Sequence, residues 1–167
     1  MGPSQGENDG VWRNGVMTRD SAGAGLSYRN GRAGASNGYN RSMDTKRILS
    51  IGQCGADHAG IRWFVTSNFD NVEVDPAATE IEAFAALGKT SYDLVLVNRV
   101  LDRDHSQGLN IIRRLKGDER HANLPVMLVS NYPDARAKAE LEGALPGFGK
   151  ADLDDETLGK LRAALER

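Results

Sequence analysis

A single cysteine, Cys54, is the whole thiol content of these 167 residues, which excludes an internal disulfide and a thiolate zinc site. Long apolar runs are missing as well. No stretch approaches the roughly 20 consecutive apolar residues that cross a bilayer, and the N-terminus lacks the apolar segment of a secretory signal. Nor is there an excess of one charge: 21 Lys and Arg stand against 23 Asp and Glu. A formal net charge of −2 gives no general attraction to nucleic acid or anionic lipid. These absences lead to the expectation of a reduced, cytoplasmic protein with soluble partners, without nucleic acid or membrane among them.

What is present falls into two unequal parts. Residues 1–44 hold nine of the 19 glycines, five Asn and five Arg, and their aliphatic residues beyond Ala and Met are Val11, Val16 and Leu26. So little apolar surface cannot offset the roughly 1–2 kcal/mol of backbone entropy lost per ordered residue. A disordered tail is therefore expected over 1–44, ahead of one domain over 45–167. Its arginines against Glu7, Asp9, Asp20 and Asp44 make it slightly basic, and Met43 offers an internal start just before the domain.

From Lys46 onward, short apolar runs alternate with helical periodicity. Arg47 to Ile51 reads as a buried strand closed by Gly52 and Gly55. A helix from Asp57 to Phe69 follows, with Ile61, Phe64 and Val65 on one face and Asp57 as its cap. Asn71 to Val74 reads as a second strand. Pro76 and Thr79 open a helix that turns Ile81, Phe84, Ala85 and Leu87 inward and is capped by Gly88. Tyr92 to Asn98 is almost wholly apolar, as in a central parallel strand covered on both faces.

Gly108 introduces a third helix carrying Leu109, Ile112 and Leu115, and Leu124 to Ser130 is a fourth strand with its proline near the start. A polar helix from Asp134 to Glu142, a short strand around Leu145 to Phe148, and a helix from Asp154 to Glu166 with Leu158, Leu161 and Leu165 complete the pattern. Five strands each followed by a helix imply an α/β fold with a doubly wound five-stranded parallel sheet. The crevice at the carboxyl ends of the strands is then the place to look for function.

Asp93 to Asn98 with Gly108 to Lys116, Leu124 to Ser130, and Gly147-Phe-Gly-Lys150, in this order and spacing, resemble the receiver domain of bacterial response regulators over residues 45–167. The resemblance implies a flavodoxin-like sheet. In an active receiver, two acids after the first strand and an aspartate ending the third hold magnesium, and that aspartate accepts a phosphoryl group. Magnesium prefers charged oxygen ligands, and the transfer needs an oxygen nucleophile. The corresponding positions are Gly52, Gln53 and Asn98. Amide oxygens supply neither the negative charge nor the nucleophile. Phosphorylation at Asn98 is therefore excluded, and no cofactor or bound metal is expected.

Other parts of the machinery survive in the resemblance. Ser130 matches the hydroxyl that contacts the phosphoryl group, and Lys150 matches the lysine that pairs with the phosphoaspartate, although Phe148 to Lys150 is one residue shorter than usual and Ala151 replaces a proline. Asn131 stands where a small residue leaves room for phosphate. Without anionic neighbours, Lys150 has two open roles: hydrogen bonding to Asn98 or Gln53, or exposure to solvent. Asp102 and Asp104 are alternative acids in a loop about two residues longer than usual, read first as turn-supporting residues. The resemblance also puts Arg136, Lys138, Glu140 and Phe148 near a partner face, with Phe148 as the aromatic switch or a plain core residue.

Weaker patterns carry less. His105-Ser-Gln-Gly108 matches part of a cobalamin-binding signature poorly, and His58, His105 and His121 lie in separate segments. Cys54 lacks a resolving partner and is read as unreactive. Gly52 to Gly55 is too short for a dinucleotide fingerprint. Trp63, adjacent to the inward Phe64, is left at the surface. The expected function is a non-enzymatic pseudo-receiver that docks to a signalling protein, a histidine kinase or effector, with a homodimer open and no output domain attached. Two readings stand beside it: a small-ligand domain using Gln53, Asn98, Ser130 and Lys150, and a receiver phosphorylated at Asp102 or Asp104.

Overall fold

Apolar residues at successive positions of the central segments make strands buried on both faces, and helices cover each face in turn. The computed structural model describes residues 45–167; the tail expected over 1–44 lies outside them. The elements are β1 (Lys46–Ile51), α1 (Gly55–Asn68), β2 (Val72–Ala77), α2 (Glu80–Leu87) and β3 (Leu94–Asn98), then α3 (Gly108–Gly117), β4 (Val126–Val129), α4 (Pro133–Leu141), β5 (Leu145–Phe148) and α5 (Asp155–Leu165). All strand pairs are parallel, in the order β2-β1-β3-β4-β5. This is the doubly wound α/β sheet expected from the sequence.

Strand alternation divides the core. Leu49, Ile51, Val95, Val97, Val126 and Leu128 pack with Ala83 of α2, Ile111, Ile112 and Leu115 of α3, and Ala139 of α4. On the opposite face Ile48, Leu94, Leu96, Met127 and Val129 meet Ile61, Phe64 and Val65 of α1 and Leu161, Ala164 and Leu165 of α5. Each such aliphatic side chain contributes about 1.5–3 kcal/mol on burial, so the two clusters hold the strand ends in one register.

Several boundaries differ from the sequence expectation. Pro76 does not open α2: it lies within β2 opposite Ser50, where an edge strand tolerates a missing N–H. Thr79 is the N-cap instead, accepting from the Glu82 amide. α2 buries Ala83 fully and leaves Ile81 82 % exposed, because so short a helix meets the sheet along a narrow stripe. α1 starts at Gly55 rather than Asp57, its cap being Cys54, whose Sγ accepts from the Asp57 amide at 3.4 Å. Gly88 caps α2 with right-handed backbone, φ −75°. Ile111 joins Ile112 and Leu115 in the core while Leu109 is half-buried. Trp63 is 70 % exposed, as expected from its position beside Phe64.

Candidate functional site

The carboxyl ends of β1, β3, β4 and β5 bring Gly52, Asn98, Ser130 and Lys150 to one edge of the sheet. Gly52 leaves β1 with φ +70°, a conformation that side chains disfavour. A Cβ here would lie 2.1 Å from Leu101 Cγ. Leu101 is fully buried and comes from the 99–107 loop, filling the space beside Gly52. The Gly52 carbonyl accepts from Asn98 Nδ2 at 2.8 Å and from the Asp102 amide at 3.0 Å, which fastens β3 and its loop to β1.

The loop is built to hold Leu101 there. Val100 bridges Gln107, Leu101 donates to the Ser106 carbonyl at 2.9 Å, and His105 adopts φ +56° with its amide on the Leu101 carbonyl. Asp104 Oδ1 accepts from both the amide and the hydroxyl of Ser106, at 3.0 and 2.7 Å, and these bonds hold its carboxyl below its ordinary range. Asp104 is thus a turn residue. Gly108, which follows the loop, has no room for a side chain: a Cβ would stand 2.0 Å from the Asn98 carbonyl oxygen.

The β4 and β5 ends are arranged differently. Ser130 is buried, its Oγ accepts from the Tyr132 amide at 3.1 Å, and its carbonyl accepts from Arg136 Nη1 at 2.6 Å. Lys150 takes neither expected role: it pairs with Asp57 of α1 at 2.5 Å. This bond lowers the Asp57 carboxyl below its ordinary range, against the opposing effect of burial. Lys150 turns to α1, where Asp57 offers a full negative charge, rather than to the neutral amide of Asn98, whose Nδ2 serves the Gly52 carbonyl. Asn131 Oδ1 accepts from the Ala151 amide at 3.4 Å, and the Arg99 guanidinium lies 4.6 Å from the Tyr132 ring centroid.

Between the 99–107 loop and the β4 end is a crevice of about 280 Å³, lined by Asn98, Arg99, Val100, Leu101, Asp102, His105, Ser130, Asn131, Tyr132 and Lys150. Gln53 is not on its wall; both polar atoms of the Gln53 amide are buried without a hydrogen-bond partner among the described residues. Of the partner-face residues, Lys138 and Glu140 are exposed on α4, Arg136 is half-buried against Ser130, and Phe148 is 1 % exposed within the core. Phe148 therefore cannot itself touch a partner in this conformation. Sequence reasoning missed Arg99, Leu101 and Tyr132. Leu101, an apolar residue inside a charged loop, was the one available signal.

Magnesium does not suit this donor set. Gly52 offers no side chain, the adjoining space belongs to Leu101, and Asn98 is neutral. Among the described residues no group of three or more His, Cys, Asp or Glu is placed to hold a metal ion.

The geometry is that of receiver domains. The chain is similar to a response regulator from Thermotoga maritima, at 23 % identity with a TM-score of 0.61 over 74 % of this chain and 99 % of that one. It also resembles the signal receiver domain of a DNA-binding response regulator from Colwellia psychrerythraea, at 21 % identity and TM-score 0.64, covering 73 % and 99 % of the two chains. For a response regulator from Chloroflexus aurantiacus described as putative, the values are 16 %, 0.65, 74 % and 100 %. No family model and no curated protein matches the sequence. Residues 45–167 have the response-regulator receiver fold. No helix among the described residues is long and apolar enough to cross a membrane.

Proposed function

We propose that this chain is a pseudo-receiver, a signalling module that docks to a kinase or effector without being phosphorylated and without catalysing a reaction. The observation that carries this reading is Leu101 against Gly52: the place of the first metal-binding acid is occupied by a buried hydrocarbon side chain. Asn98 supports it, since a neutral amide whose Nδ2 serves the Gly52 carbonyl is no acceptor for phosphorus. Asp104 is engaged with Ser106, and Asp102, although on the crevice wall, has no acidic partner at Gly52 or Gln53 to share a metal.

Docking in this reading uses the exposed side of α4, where Lys138 and Glu140 stand clear of the core; a homodimer through the same side is one form of it. The test is direct. The protein is incubated with magnesium and acetyl phosphate and its intact mass is followed; no adduct of about 80 Da is expected. An adduct that maps to Asp102 or Asp104 sinks the proposal. For the docking half, a partner captured by the wild type is expected to be lost on Lys138→Glu with Glu140→Lys, and retention at full strength refutes the α4 assignment.

A further inference from the structure

We propose that the open crevice is a noncovalent oxyanion site, with Arg99 as its principal contact. This rests on the reading that Asn98 accepts no phosphoryl group, and it adds the ligand that the crevice takes instead.

Arg99 makes no ion pair or hydrogen bond through its guanidinium among the described residues, while its guanidinium carbon lies over the Tyr132 ring, 4.6 Å from the centroid. An arginine resting over an aromatic ring, with its N–H groups unengaged, can present its fork of donors to a planar or tetrahedral oxyanion. The groups around it are donors too. Ser130 is buried with its oxygen accepting from the Tyr132 amide, so its proton is available to the crevice. The Asn131 oxygen accepts from the Ala151 amide, its NH₂ has no hydrogen-bond partner among the described residues, and Lys150 keeps two N–H groups after its bond to Asp57. Among the described residues, Asp102 is the one carboxylate on the wall. Four donor groups, two of them cationic, thus surround a space of about 280 Å³, which suits a phosphate or carboxylate group.

The site differs from a phosphoacceptor pocket because nothing in it forms a bond to the anion. Binding is reversible and independent of magnesium, and the shared chemistry is an oxygen anion, whether phosphate or carboxylate.

The experiment titrates the full-length protein with inorganic phosphate and, separately, with acetate, at constant ionic strength maintained by chloride, following amide and Arg Nε NMR shifts. Saturable shifts at Arg99, Ser130 and Asn131 are expected for at least one of the two anions, and the pair of titrations distinguishes phosphate from carboxylate preference. Arg99→Gln is expected to weaken binding about tenfold, the loss of one charge-assisted pair. Arg99→Lys should recover part of it, and Arg62→Gln, on exposed α1, should change nothing. No saturable shift, or binding unchanged in Arg99→Gln, overturns the proposal, as does an equal response to chloride alone. Failure here leaves the mass test above unaffected, and an adduct of about 80 Da there leaves reversible binding here to be judged on its own shifts.

Discussion

The two halves of the crevice edge have opposite characters. At the β1 and β3 ends, Leu101 packs against Gly52 and Asn98 is tied to the Gly52 carbonyl, so the space beside Gly52 is filled. Toward the β4 and β5 ends, Ser130, Asn131 and Lys150 line an open volume, joined there by Arg99 from the loop after β3. One half is now core, and its substitutions should cost stability. The other borders an open crevice, and its substitutions should cost binding.

Leu101→Ala is the strongest way to break this contrast. Removing a fully buried leucine is expected to cost about 3 kcal/mol, read as a lower urea midpoint with unchanged slope. A cost near zero would mean that the loop does not seal the β1 half. Gly52→Asp comes next, at about 2–4 kcal/mol, because the new side chain meets Leu101 and the backbone is left-handed. Combined with Leu101→Ala it should cost at least about 1 kcal/mol less than the sum, the mark of two groups competing for one space.

Asp57→Asn tests the clasp between Lys150 and α1. With both side chains about 30 % exposed or less, the expected loss is about 0.5–1 kcal/mol at neutral pH. The sign with pH follows from the lowered Asp57 carboxyl: the folded state favours its charged form, so the contribution is full at neutral pH and fades as the pH falls below about 4. Wild type and Asp57→Asn should therefore converge in stability in acid, and a gap that widens there would contradict the ion pair. Asn131→Ala, on the open side, should alter stability by no more than about 0.5 kcal/mol, which thermal melting would check.

Much of this fold was legible because its signals are local. The apolar run from Leu94 to Val97 and the spacing of Ile61, Phe64 and Val65 identify a central strand and a covering helix without any long-range contact. Pro76 misled because its helix-opening preference gave way to an edge position that only sheet order creates. Ile81 misled for a similar reason: periodicity marks an apolar face, but which residue of α2 meets the sheet is set by packing, which buries Ala83 and leaves Ile81 in solvent. At the site, Asn98 and Ser130 line the crevice and Gln53 does not, while Phe148 lies in the core, one of the two roles read for it.

The sequence by itself determined the alternation of strands and helices, the apolar residues of both sheet faces, and the absence of carboxylates at Gly52, Gln53 and Asn98. Residue identity and short-range period suffice for each of these. Tertiary structure alone decided that Leu101 fills the space beside Gly52, that Lys150 reaches Asp57 across 93 positions of chain, and that Arg99 lies over Tyr132. Which side chain occupies a space, and which charge meets which, depends on segments that only the folded sheet brings together.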